Sequence, residues 1–169
     1  MVAAWSWITF WLVVHIVGVL LAFGPSFAYP FFGALVAKQP QHAKFFVEGS
    51  ETVSKRLTLP IGVIVAVAGV GLIYSLHIPL WSTPWLIVAI VLYAAAYLYG
   101  LLVQLPTGMK LFKALDAMPP GPPPPGAGGP PPEIQAMAAK LRYGGMYLSG
   151  SVVVIAILMI WQPGKHVFG

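Results

Sequence analysis

From Val2 to Ala37 the chain carries no Asp, Glu, Lys or Arg, and neither does the stretch from Leu57 to Met109. An α-helix needs about 20 apolar residues to cross the hydrocarbon layer of a bilayer, so both stretches are long enough to span it. Only 8% of the 169 residues are charged and 59% are hydrophobic, whereas about a quarter of a soluble domain is charged. The sequence therefore predicts an all-α integral membrane protein: a single domain forming a four-helix transmembrane bundle.

The predicted spans follow from these runs and their breaks. The first covers about residues 5–24, with a kinked extension to 37, because Pro25 and Pro30 each remove a backbone donor. The others cover about 57–76, 85–105 and 143–161. Residues 107–118 are predicted to form an amphipathic, interfacial segment. Residues 119–132, almost entirely Pro and Gly, are predicted to form a linker without helix or sheet.

The basic residues predict the orientation. Of nine Lys and Arg residues, only Lys165 lies outside the first and third loops. Since basic loops stay in the cytoplasm, loops 1 and 3 and the linker are predicted to be cytoplasmic and both termini outside. The tryptophans support this, because all of them fall at the predicted outer ends of their spans, as an interfacial belt would: Trp5, Trp7, Trp11, Trp81, Trp85 and Trp161.

His15 is the main candidate for chemistry. It lies about ten residues into the first span, so at 1.5 Å per residue it is ~15 Å deep, near the middle of the bilayer. A neutral imidazole is a common axial ligand of haem iron. Gly18 and Ala22 follow at i+3 and i+7, leaving a groove where a flat macrocycle could lie, and Tyr93 of the third span could line the pocket.

A packing interpretation stays open beside this one. Small residues at such spacings also let two helices approach closely. His15 could then simply hydrogen-bond a neighbouring helix, and Tyr93, with Tyr97, could belong to a packing stripe.

The run His15-Ile16-Val17-Gly18-Val19-Leu20-Leu21-Ala22-Phe23-Gly24-Pro25-Ser26-Phe27-Ala28-Tyr29-Pro30 resembles the first helix of an uncharacterised bacterial family of predicted integral membrane proteins. The resemblance continues through Pro60, Gly69, Thr83-Pro84-Trp85-Leu86 and Leu92-Tyr93. That family is distantly similar to copper-resistance-D-like membrane proteins and HemJ-type protoporphyrinogen oxidases. The resemblance implies a four-helix bundle in which His15 matches a haem-ligating histidine.

Two positions depart from the HemJ-type pattern. Phe31 stands where those enzymes have a basic residue, and an apolar residue, near Ala89, stands where they have a lysine on the third helix. No second mid-membrane histidine is present for bis-histidine ligation. We therefore expect no catalytic activity of the chain's own, and a second haem ligand from elsewhere.

The sequence thus favours an accessory subunit of a larger respiratory or photosynthetic electron-transfer complex in the bacterial inner membrane, binding haem b through His15. Its expected partners are the lipid bilayer and other membrane subunits, with no role for nucleic acid. The alternative is a stand-alone haem-binding redox or porphyrin-handling protein. A small transporter is a weaker candidate, because the spans lack the charged residues that ion-coupled transport uses.

Overall fold

The computed structural model describes residues 6–118 and 129–164, and this described part contains helices and turns but no strand. Four long rods result, each apolar and long enough to cross a membrane, which confirms the predicted four-helix membrane architecture. The second and third rods each consist of two α-helices connected by a short π-helical turn, Ser54–Thr58 in the second and Gly100–Gln104 in the third. The helices are α1 (Trp7–Lys38), α2 (Ala43–Val53), α3 (Leu59–Ser75), α4 (Pro84–Tyr99), α5 (Leu105–Asp116) and α6 (Pro132–Trp161).

The rods are longer than the predicted spans. Helix α1 continues through both of its prolines to Lys38, close to the predicted end of its kinked extension at 37. The segment predicted to be amphipathic and interfacial belongs to α5, which is continuous with the third rod. Its position at the interface stays a prediction. Helix α6 begins at Pro132, eleven residues before the predicted fourth span. Residues 119–128 of the predicted linker, like Trp5, lie outside the described residues.

The two π-helical turns have the same local cause. Each is followed by Leu-Pro, at Leu59-Pro60 and Leu105-Pro106. A proline ring in a regular α-helix clashes with the carbonyl four residues earlier, which here belongs to a residue inside the π-turn. The wider turn relieves this clash, and its i→i+5 hydrogen bond runs from the Leu59 N–H to the Ser54 carbonyl.

Small residues set the closest helix contacts. Along the seam between α1 and α3, a Cβ atom on Gly18 would lie 2.7 Å from Val65 Cγ2, and one on Gly71 would meet the Trp11 ring. Ala22 is fully buried in the same seam. Helix α6 contacts α1, α4 and α5, and α2 contacts α5, so the rods pack around a common interior.

One end of the bundle carries the charges. Lys44 forms an ion pair with Asp116, and Lys55 one with Glu51 at 3.0 Å, all at the end formed by α2, α5 and the start of α6. At the opposite end, three tryptophans are exposed as expected of an interfacial belt, whereas Trp85 is only 7% exposed and packs within the bundle. The three exposed ones are Trp7, Trp81 and Trp161. Which end faces the cytoplasm stays a prediction.

The seam yields a stability test at Gly18. A leucine there would collide with the β-branched Val65 side chain, whose χ1 is stiff, and such overpacking typically costs about 1–3 kcal/mol. We expect Gly18→Leu to lower the thermal unfolding temperature in detergent. Gly24→Leu is the matched control on the same helix, because a Cβ there meets nothing within 4 Å. Equal unfolding temperatures for the two variants would contradict the close packing of α1 against α3 at Gly18.

Candidate functional site at His15

His15 is half-buried and faces α3. Its Nδ1 lies 3.0 Å from the Val65 carbonyl oxygen, and its Cε1 would be 3.4 Å from a Cβ on Gly69. Because a carbonyl oxygen only accepts hydrogen bonds, Nδ1 must carry the proton. The neutral ring therefore keeps an unprotonated Nε2, the nitrogen that can bind a metal while the other is held by a carbonyl.

Gly18 and Ala22 do not border an open groove. The side chains of Ile61 and Val65 occupy the space beside Gly18. Ala22 has no exposed surface, and its carbonyl accepts a hydrogen bond from Thr58 Oγ1 at 3.0 Å. Within this chain, the face predicted to carry a macrocycle is filled by α3.

Tyr93, on α4, contacts the same helix. Its hydroxyl donates to the Gly62 carbonyl at 2.6 Å, three residues before the carbonyl that His15 uses, so the two contacts lie about 4.5 Å apart along the α3 axis. The Tyr93 ring also makes an edge contact with Phe23, at a centroid separation of 6.2 Å. Helix α3 is thus contacted by His15 and Gly18 of α1 and by Tyr93 of α4.

Two further side-chain contacts with backbone carbonyls join helices of the bundle, and the Tyr97 one agrees with the packing stripe predicted from the sequence. Tyr97 stacks on Tyr93 and donates to the Leu59 carbonyl at 3.0 Å. Ser149 Oγ lies 3.5 Å from the Ser26 carbonyl, at the outer limit of a hydrogen bond. Pro30 is the signal that could have identified this contact, because a proline leaves the carbonyl four residues earlier without its usual donor.

Some buried polar atoms have no partner within the described ranges: Tyr29 Oη, Glu51 Oε1 and Gln104 Oε1. They belong to the half of the bundle nearer the charged end. No group of three His, Cys, Asp or Glu side chains in residues 6–118 and 129–164 could hold a metal ion.

A hydroxyl deletion tests the contact between α3 and α4. Tyr93→Phe removes the donor to the Gly62 carbonyl, and interhelical hydrogen bonds in membranes contribute about 0.6 kcal/mol on average, up to about 1.7. We expect a loss of stability in this range by reversible unfolding in mixed micelles. Tyr74→Phe, at a residue that is 84% exposed, should leave stability unchanged. A neutral Tyr93→Phe variant would mean that this hydroxyl contributes nothing to helix packing.

Comparison with known proteins identifies one family. The model of the family described as "Predicted integral membrane protein (DUF2269)" matches residues 9–163, nearly the whole chain. Neither a curated protein nor a solved structure matches significantly. The distant similarity to copper-resistance-D-like and HemJ-type proteins therefore stays an expectation.

Proposed function

The chain belongs to the DUF2269 family of predicted integral membrane proteins, and from this premise we propose that it is an accessory subunit of a larger electron-transfer complex. In this complex His15 binds a b-type haem through Nε2. The observation that carries the proposal is the hydrogen bond from His15 Nδ1 to the Val65 carbonyl. It orients the ring and leaves Nε2 as the one nitrogen able to bind iron.

The residues around His15 meet one of two requirements of a haem site: they supply an axial ligand, but they leave no open face beside Gly18 and Ala22. The imidazole is suited to ligation, but the Gly18 and Ala22 face is closed by Ile61 and Val65. A macrocycle would therefore need a face of His15 other than the one packed against α3.

Among residues 6–118 and 129–164, no second histidine lies at this depth. The chain's other described histidines, His42 and His77, lie in turns at opposite ends of the bundle. A partner subunit or a water molecule would complete the coordination. This half-site favours an accessory subunit over a stand-alone haem protein.

Haem content tests the proposal. The protein is purified with its partners from native membranes in mild detergent, and its reduced-minus-oxidised spectrum and pyridine haemochrome are recorded. We expect a b-type spectrum that is lost in His15→Asn. The asparagine amide can still donate to the Val65 carbonyl but offers no second ring nitrogen to iron.

The matched control is His77→Asn, which should keep the haem. His77 has a positive φ of 51°, a conformation that asparagine tolerates well. Gel filtration and circular dichroism establish that both variants fold. Full haem content in folded His15→Asn, or a colourless wild-type complex, would contradict the haem proposal. A haem-loaded protein that purifies without any other chain would contradict the accessory role.

We further propose that the charged end faces the cytoplasm of a bacterial cell, since eight of the nine basic residues lie there. The chain has no cysteine, so single cysteines can report sidedness. Gln41→Cys, in the turn between α1 and α2, should react with a membrane-impermeant maleimide only after permeabilisation. Ser82→Cys, in the turn before α4, should react in intact cells. The opposite labelling pattern would show that the charged end faces away from the cytoplasm.

A further inference from the structure

Two prolines lie inside α1, and each deprives one backbone carbonyl of its usual donor. Pro30 frees the Ser26 carbonyl, and the Ser149 hydroxyl of α6 lies 3.5 Å from it. Pro25 frees the Leu21 carbonyl in the same way. Among residues 6–118 and 129–164, no side chain donates a hydrogen bond to this second carbonyl. The described side chains thus leave the Leu21 carbonyl without a replacement donor.

The Leu21 carbonyl lies on the hydrocarbon side of the charged end. Thr58 of the second rod is hydrogen-bonded to Ala22, so Lys55 is level with about residue 25 of α1. Its long side chain can reach outward to the headgroups, which puts the edge of the hydrocarbon at or beyond this level. Leu21 is about four residues, or ~6 Å, inside it. Hydrocarbon offers no donor to a carbonyl, so a protein group must supply one.

Leu21 belongs to a face of α1 that the described helices leave exposed. Residues at i, i+3, i+4 and i+7 share one side of a helix, and the exposed fractions of the four larger side chains on this side range from 44% to 65%. A Cβ on the glycine at its centre would meet nothing within 4 Å, which leaves a notch where another helix could approach the backbone closely. This Gly24 face consists of Val17, Leu20, Leu21, Gly24 and Phe27.

The missing donor specifies what can cover the Gly24 face. A lipid acyl chain has no donor. The five side chains of the face have none either, so a second copy of this chain packed symmetrically through the same face would supply none. Serine and threonine hydroxyls form hydrogen bonds between membrane helices. A helix from a different subunit, with such a hydroxyl, therefore suits this face best.

We propose that the Gly24 face binds a transmembrane helix of a different subunit, which donates a hydrogen bond from a serine or threonine hydroxyl to the Leu21 carbonyl. This rests on the accessory role proposed for the chain and names the surface through which it joins its complex. It does not depend on haem binding at His15.

Photocrosslinking in native membranes tests the proposal. Leu20→p-benzoylphenylalanine in the full-length chain places the probe on the Gly24 face, at a side chain that is 65% exposed. After irradiation, the crosslinked peptide is sequenced by mass spectrometry. We expect a transmembrane segment of another protein, with a serine or threonine within about one helical turn of the crosslinked residue.

Two variants in this background separate the notch from the carbonyl. Gly24→Leu fills the notch and should lower the crosslinking yield by about tenfold. Pro25→Ala gives the Leu21 carbonyl an N–H from its own helix. It should lower the yield by about threefold, the effect of losing an average interhelical hydrogen bond. The unfolding temperature of the isolated Pro25→Ala chain should stay the same or rise, which a folding defect would not produce.

Gly150→Leu is the matched control. Gly150 lies on α6 at a similar depth, since its neighbour Ser149 contacts Ser26, and a Cβ there also meets nothing within 4 Å. Its crosslinking yield should equal that of the wild type.

Crosslinks to lipid alone, to a second copy of the chain or to a helix without serine or threonine would overturn the proposal. So would a wild-type yield in Gly24→Leu. A haem-containing complex that still assembles with Gly24→Leu would overturn this face and leave the accessory role standing. A wild-type chain that purifies alone would contradict the accessory role as well.

Discussion

The hydrocarbon of a bilayer offers no water to a backbone carbonyl, so each carbonyl that a proline deprives of its donor must find another partner within the protein. This chain places prolines inside α1 and two residues after the end of each π-helical turn. Within the described residues, the wider turns meet this constraint at Pro60 and Pro106. The Ser149 hydroxyl lies 3.5 Å from the Ser26 carbonyl, which Pro30 leaves without its usual donor. Other hydroxyl groups also join the helices. Thr58, Tyr93 and Tyr97 each donate to a carbonyl of another helix. The same bonds fix how the rods sit against one another.

His15 belongs to this set of side-chain contacts and differs from the others in one respect. A hydroxyl that donates to a carbonyl acts only in helix packing here. An imidazole that donates through Nδ1 still has a lone pair on Nε2 that can bind a metal. Packing and metal binding are therefore compatible at this residue. An ionisable residue placed at this depth is a functional candidate by default, and its bond to Val65 leaves Nε2 available for the proposed ligand role.

The spans and their order could be predicted from the sequence, because a charge-free run of twenty residues has few alternatives to a membrane helix. The role of Gly18 and Ala22 could not be predicted from the sequence. The same i, i+4 spacing of small residues suits a cofactor groove or a helix seam, and only the packed structure shows that Val65 fills the space. The prolines of α1 predicted a kinked extension from residue 24 to 37, and the helix continues through both of them to Lys38. Sequence periodicity does not reveal which neighbouring groups compensate for a missing donor.

The nitrogen-15 chemical shifts of the His15 imidazole, measured in protein purified from native membranes, test the central claim most directly. The proposed site predicts a protonated Nδ1 held by a carbonyl and an Nε2 resonance displaced by bound iron. A ring with Nε2 protonated and Nδ1 bare would contradict both the hydrogen bond to Val65 and the ligation. A protonated Nδ1 with an unperturbed Nε2 would leave His15 as a packing residue and exclude it as a haem ligand.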